Sequence, residues 1–480
     1  MKLNILLFLF VVLQVPVHAQ LPVKAWEKFI NGSTPDEGQV DDILIDQDHC
    51  IVLSRNEEDY MAVVLSKYTL NGVLVWSKKW AVATTDIYPY YLQKNTRNGH
   101  YYVLGYADGG QPYITEFDLN GNRIKTKVFN DNLQDFKALR DGTFIVAGTK
   151  TIYKVNMNLD IVWSKGIKFN FSRGVCCTDL NSIDVSPDGS IYLLASGTGI
   201  LATNTAADIV VAKTDSLGNV IWNKVFGGSG TESISDSYAN FRSDIKAHPD
   251  GGFVLECSTR SLEFAPQGTS SHIELLVIKG DKDGNQKWWA TSNKGAGSAH
   301  GVKIKPNGNI LVYGVGGTSS TSPFASPADK SNRAYILELN HTNGSKVWAS
   351  SFGGEYSDFT RALAVVDDRR LIAGGKFSKS SSFDSYAWLF SVNISGLSAT
   401  REISDEALGI YPNPTTDFVQ IEHGTFVPEH YWISNLQGAM VKSGSVSIED
   451  RIDFRELEPG IYLLNLESEG KLVRKKIVKI

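Results

Sequence analysis

Cysteine is scarce, with 4 in 480 residues: Cys50, Cys176, Cys177 and Cys257. That excludes a disulfide framework. One adjacent pair and two singletons have no metal-ligand spacing either. In a strand, Cys176 and Cys177 would face opposite sides and could not converge on one ion; a strained vicinal bridge is the other arrangement open to them. Cys50 and Cys257 sit in apolar strand contexts and are expected as small buried hydrophobes. Charge of one sign is also in short supply. A net charge of -5 leaves no basic footprint for a nucleic acid and no acidic tail. Apolar runs of period 3.6 are missing beyond the first 20 residues, which argues against a helical architecture. Nothing after them is long and apolar enough to cross a bilayer as a helix. No dinucleotide fingerprint, phosphate loop, zinc-hydrolase histidine pair or nucleophile elbow occurs, so no cofactor and no metal are expected. The string GVGG at 314–317 runs into Ser/Thr-rich sequence, not into a helix. Turns such as Asp281-Lys282-Asp283-Gly284 lack the further oxygens of a calcium loop and read as solvated turns.

The first residues read as an export signal. Lys2 supplies a positive end, Leu3 to Val17 an apolar run, and Val17-His18-Ala19 a cleavage site before Gln20. A membrane anchor is the weaker reading, since the run is short and a polar residue follows at once.

What the chain has in quantity is glycine and aromatics: 43 Gly, 10 Trp, 19 Tyr and 22 Phe. Several are locked into one phrase. Gly218 is followed by Trp222 and the pair Gly227-Gly228. Gly72 precedes Trp76, Gly284 precedes Trp288, and Gly344 precedes Trp348 and the pair Gly353-Gly354. Weaker copies have Leu159 before Trp163, Gly121 before Lys125, and Gly396 before Thr400. Units of this size, roughly 40 to 65 residues, bury their apolar faces only by stacking on neighbours. Each unit alternates apolar strands with tight turns such as Pro187-Asp188-Gly189 and Pro249-Asp250-Gly251. Four strands per unit give an all-β fold, a seven-bladed β-propeller. The boundaries fall at about 39–86, 87–130, 131–170, 171–236, 237–295, 296–358 and 359–400. The segment AWEKFINGSTPDEG at 25–38 matches the end of a unit. It is expected to complete the last unit and close the ring.

Aligning the units on their turn glycines puts Asp42, Leu92, Asp135, Ser182, Asp244, Gly301 and Arg361 at one level, with the last unit open to a shift of one. His300 lies one residue before that level. Asp42, Asp135, Asp244, Arg361 and His300 are the candidate ligand-binding residues. Three carboxylates and a guanidinium suit a sugar, a cation or ordered water, and close carboxylates can split their pKa values for acid–base work. Polar residues there also cap backbone groups. Tyr88, Tyr90, Tyr91, Tyr101 and Tyr102 are the aromatics for glycan stacking. Insertions at 195–207, 258–271 and 315–331 have loop composition and suit a grafted binding surface. The expectation is a non-enzymatic binding or scaffold module for glycans or surface partners. A propeller hydrolase or lyase using the acidic residues is the alternative.

The pattern changes after the polar linker near 401, where alternation and turns argue a small β-sandwich. Tyr411-Pro412-Asn413-Pro414, a turn at Gly438, LEPGIY with Gly460 and Tyr462, and a basic-apolar end at Ile480 resemble the C-terminal type A sorting domain of the type IX secretion system of Bacteroidetes. That resemblance implies recognition by the secretion machinery, passage through the periplasm, then release or surface attachment. The Gly–Trp–Gly-Gly phrase is also distantly similar to quinoprotein-type propeller repeats, which implies a way of docking sheets and no quinone site.

Overall fold

A computed structural model describes residues 21–480 apart from 31–37, 57–61, 82–86, 172–174, 201–206, 237–240, 265–273, 292–298, 317–332, 380–384, 396–407, 424–427, 436–439, 447–450, 469–470 and a few single positions. The export signal, Gly396, Thr400 and Gly438 lie outside the described residues, as do much of the three insertions and the side chains of Cys176 and Cys177. Two compact units emerge, one of Leu21–Ile394 and one containing Ser395–Ile480.

In the first unit the described residues form strands joined into antiparallel sheets, six of four strands and one of five, beside a two-stranded pair. The first sheet is representative, running Gln39–Asp46, His49–Asn56, Ala62–Thr69 and Leu74–Ala81. Each following sheet repeats that meander. The fifth also takes in Glu232–Ser233, earlier than the expected boundary at 237. In the seventh, Leu21–Ile30 forms the outer strand beside Ser385–Ser395. Apolar clusters fill the space between consecutive sheets. Ile51, Val63 and Trp80 of the first sheet pack with Tyr101 and Val103 of the second, and Leu311 and Trp348 of the sixth with Trp388 and Phe390 of the seventh. Another cluster joins the seventh to the first through Ala364, Ile372, Leu389, Val40 and Val52. Cys50 and Cys257 are buried free thiols, as expected, and burial pushes the Cys50 thiol up to about 12.

The glycine–tryptophan phrase is an inter-sheet joint. Gly72, Gly121, Gly284 and Gly344 each sit in a turn with positive φ and lie against a tryptophan of the preceding sheet, whereas Gly218 lies against Ile152 and Lys165. A Cβ on Gly72 would come within 2.9 Å of the Trp26 ring, one on Gly121 within 2.5 Å of Trp76, and one on Gly344 within 2.6 Å of Trp288. Three of the indole N–H groups donate to a turn carbonyl of the next sheet, Trp26 to Leu70 O, Trp222 to Lys282 O and Trp288 to His341 O, each at 3.0 Å, whereas Trp348 donates to Glu338 Oε2 of its own sheet at 2.6 Å. The weak copy follows the same logic. Lys125 replaces a tryptophan; its ammonium is paired with Glu116 of its own sheet at 3.1 Å and also reaches Met157 O at 3.4 Å. With no indole to accommodate, the facing turn carries Leu159 at φ 67° in place of glycine.

The glycine pairs make room for a carboxylate. Gly228 N–H donates to Glu232 Oε2 at 3.0 Å, and Gly354 N–H to Asp358 Oδ2 at 2.6 Å. In both places the acid stands four residues beyond the second glycine.

The second unit has a three-stranded sheet and a four-stranded one, sharing a core of Val419, Ile433, Phe454, Leu464 and Ile477. Asn413 of the Tyr-Pro-Asn-Pro motif ties down the last strand. Its Nδ2 donates to Lys476 O at 2.7 Å, and its Oδ1 accepts from Val478 N–H at 2.9 Å. Tyr462 O–H donates to Glu458 O at 2.8 Å across the LEPGIY turn, and Gly460 opens the strand Gly460–Ser468.

Candidate functional site

The first strands of the sheets share an irregularity that composition does not announce. In the first sheet Val40 faces Ser54 and Asp42 faces Leu53, so Asp41 is an extra residue. The second, fourth, sixth and seventh sheets repeat the bulge, with Tyr90, Asn181, His300 and Arg361 as the extra residues. A regular strand turns consecutive side chains to opposite faces, whereas a bulge re-aims one. In two of the bulged strands consecutive residues therefore both line one cavity, Asp41 with Asp42 and Tyr90 with Tyr91; Ser243 and Asp244 of the fifth sheet line it too.

The structure corrects the expected alignment. Tyr91, not Leu92, stands level with Asp42 and Ser182, because the turn that Gly99 N–H closes on Asn95 O is one residue longer than the turn that Gly189 N–H closes on Ser186 O. Leu92 is buried in the core and contributes only its N–H, donated to Asp42 Oδ2 at 2.8 Å. Arg361 and His300 belong to the bulged level, alongside Asp41. Ala362 takes the place expected for Arg361.

The aspartates bind backbone from sheet to sheet. Asp42 accepts from Leu92 N–H of the second sheet. Asp135 Oδ2 of the third accepts from Ile183 N–H of the fourth at 3.0 Å. Asp244 Oδ2 of the fifth accepts from Val302 N–H of the sixth at 3.4 Å. Ser182 Oγ stands 3.0 Å from Asp135 Oδ2 and 2.9 Å from Asp244 Oδ1. One hydroxyl has one proton, so it donates to one carboxylate at a time.

Three lysines that sequence reading passed over complete the site. Lys137, Lys246 and Lys303 lie two residues beyond Asp135, Asp244 and Gly301, which puts them on the same strand face. Lys246 is ion-paired to Asp244. Lys137 Nζ is 3.9 Å from Asp184 Oδ1. Burial alone would lower the Lys137 ammonium, but Asp135, Asp184 and Asp244 outweigh it and hold its pKa high. Burial would raise Asp244, yet Lys246 and Lys137 bring it below the usual carboxylate range. Asp42 is raised by burial, against the pull of Lys303 and two N–H donors.

On the other side, Arg361 Nε is 3.2 Å from Asp41 Oδ1, and the guanidinium lies 5.9 Å from the Tyr90 ring centre. Gln39 Nε2 donates to the same Asp41 oxygen at 2.6 Å. His300 packs on Phe359 with ring centres 5.4 Å apart. Burial, then Arg361, hold its imidazole neutral well below the usual range. Of the other tyrosines, Tyr101 and Tyr102 are fully buried, donating to Asp46 Oδ2 and Met157 O. Tyr88 lies under Arg55. Only Tyr90 and Tyr91 of the five line the cavity, whose volume is about 80 Å³.

No curated protein matches the chain. A crystal structure of a protein of unknown function from Bacteroides caccae is similar at 12% identity and a TM-score of 0.36, over 56% of this chain and 81% of that one. Residues 409–480 match the family model described as the secretion system C-terminal sorting domain. That span holds the Asn413 clamp, the LEPGIY turn and the apolar core of the second unit. The chain thus ends in a sorting domain of the type IX secretion system, which marks it for export and for release or attachment at the cell surface.

Proposed function

We propose that this protein is an exported, non-enzymatic binding or scaffold module. In this reading the seven sheets close into one seven-bladed ring, with Leu21–Ile30 as its clasp. An N-terminal signal takes the chain to the periplasm, and the sorting domain carries it through the outer membrane. Glycans or surface proteins are bound at the rim formed by the insertions at 195–207, 258–271 and 315–331.

The observation that carries the reading is the engagement of the aspartates near the start of the first strands, of which Asp42 and Asp244 line the cavity and Asp135 is buried beside it. Asp42, Asp135 and Asp244 each accept a backbone N–H from the next sheet, and Asp244 is also paired with lysine. A cavity of about 80 Å³ is well below the roughly 300 Å³ at which small-molecule sites begin. An architectural use of these groups leaves recognition to the loops. The rival reading, a hydrolase or lyase, is favoured by one contact: the approach of Asp135 and Asp244 to the same Ser182 hydroxyl.

A glycan array probed with the full chain separates the two. Binding without product, lost on trimming 315–331 and kept in the Asp135→Asn/Asp244→Asn variant, is the expected result. Cleavage of a bound glycan that disappears in the double variant would overturn it. Deleting 404–480 is expected to leave the protein in the periplasm of a host with the type IX system; normal appearance outside the cell would refute the export assignment.

A further inference from the structure

Farther along the same first strands lies a second cavity, of about 350 Å³. Its apolar side chains include Ile43 and Ile45 from the first sheet, Ile304 from the sixth, and Ala364 and Val365 from the seventh. Its charged side chains are Asp184, Lys246 and Lys303. The volume is that of a small-molecule site, and the lining is divided about evenly between polar and apolar surface, which suits an amphiphilic ligand. Lys246 and Lys303 line both cavities, so the two adjoin at these side chains.

The charged groups here differ in what they already hold. Asp184 Oδ2 accepts Ala247 N–H at 2.9 Å and faces Lys137. Lys246 is paired with Asp244. Arg361 is paired with Asp41. The Lys303 ammonium makes no hydrogen bond or ion pair with any described residue, although the half-buried side chain lines both cavities. A cation partly withdrawn from water without a close counter-ion is unfavourable. Burial is the main cause that holds the Lys303 pKa below the usual lysine range; Asp42 and Asp244 oppose it, and Lys246 and Lys137 add to it. An added anion would relieve all the unfavourable contributions together.

We propose that the second cavity binds a small organic anion with an apolar body, a carboxylate in the simplest case. Its charged group pairs with Lys303, with Lys246 alongside. Its hydrocarbon part lies on Ile45, Ile304 and Val365. A cation is disfavoured because the one carboxylate in the lining is already engaged. This site is separate from the loop rim, so it stands or falls independently of glycan binding.

Titration calorimetry on the full chain tests it, with hexanoate as the probe and hexanamide and acetate as controls. Hexanoate is expected to bind with one-to-one stoichiometry, and hexanamide and acetate each at least about tenfold more weakly. Lys303→Met, which keeps the hydrocarbon stem and removes the charge, should weaken hexanoate at least about tenfold. Lys303→Arg should retain most of the affinity, and unchanged thermal melts verify that both variants are folded. Equal binding of hexanoate and hexanamide would overturn the proposal, as would acetate binding as tightly as hexanoate, or no hexanoate binding at several millimolar.

Discussion

The indole of Trp26 lies across Gly72: a Cβ on that glycine would sit 2.9 Å from Cδ2 and from Cε3 of the ring, while Nε1 donates to Leu70 O. Trp26 belongs to the outer strand of the seventh sheet and Gly72 to a turn of the first. Gly72→Ala meets both a left-handed φ of 79° and the ring. It should destabilise by about 2 to 4 kcal/mol. Trp26→Ala should cost a similar amount. In the double variant the ring is gone and only the backbone strain at the substituted turn remains, so the two effects should fall short of additivity by about 1 to 2 kcal/mol. Urea denaturation of the four proteins measures this. Strict additivity would mean that the ring and the turn are not in contact.

Lys125 and Leu159 form the altered version of that joint. Leu159 is fully buried in the cluster with Tyr102, Phe144 and Val155. Its burial outweighs its unfavourable φ, so Leu159→Gly should destabilise by about 2 kcal/mol. Lys125→Trp alone should also destabilise, because Leu159 occupies the turn that an indole would cover. Combining the two restores the glycine–tryptophan pair, and the double variant should be more stable than the sum of the singles predicts by at least about 1 kcal/mol. Thermal melts of the same four proteins give the answer.

Asp42 binds the first sheet to the second through Ile43 N–H and Leu92 N–H. Asp42→Ala removes both acceptors from a half-buried position and should cost about 1 to 3 kcal/mol. Amide hydrogen exchange is the sharper readout. Protection of Leu92 N–H should drop more than that of the neighbouring Val103, whose strand lies one position further from the cavity.

Asp358 gives a pH dependence of known sign. Burial raises its carboxyl to about 6, against two N–H donors from Gly354 and Ser378. A raised folded-state pKa means that the folded protein holds the proton more tightly than the unfolded chain. Between pH 4 and 6 stability should therefore fall as pH rises, by about 2 to 3 kcal/mol from this group, and level off above. Glu232 is raised by burial as well, so the contribution is isolated as the difference between the native protein and Asp358→Asn. A difference that stays flat across this range would contradict the assignment.

The sheet count per repeat and the partnership of glycine with tryptophan were legible because both leave periodic marks. Gly72 and Trp76 recur at fixed spacing, since one holds a turn and the other docks on the next sheet. The bulge left no such mark. Asp41, Tyr90, Asn181, His300 and Arg361 have nothing chemical in common, because what they share is a backbone insertion. Arg361 was aligned with Asp42 rather than with Asp41 because the turn closed by Val366 N–H and Arg370 O has no glycine to count from. The lysines were missed for a different reason. Lysine is usually a surface residue, yet Asp-x-Lys at 135–137 and 244–246 puts acid and ammonium on one strand face, and that spacing was readable. The acid four residues after each glycine pair was readable too.

The outer strand Leu21–Ile30 has a consequence for the order in which the chain can fold. Trp388 Nε1 donates to Glu27 Oε2 at 3.0 Å, a contact between residues 361 positions apart. Every other sheet of the first unit is built from neighbouring segments, so each can form as soon as its own strands are present. The seventh cannot, because its first strand emerges before all the others and its remaining strands after them. Closing so long a loop is slow. Throughout that interval Leu21–Ile30 is an unpaired strand, the kind of edge that recruits other chains. The early arrival of this segment makes the wait for Ser385–Ser395 the interval in which the nascent protein is most exposed to misassembly.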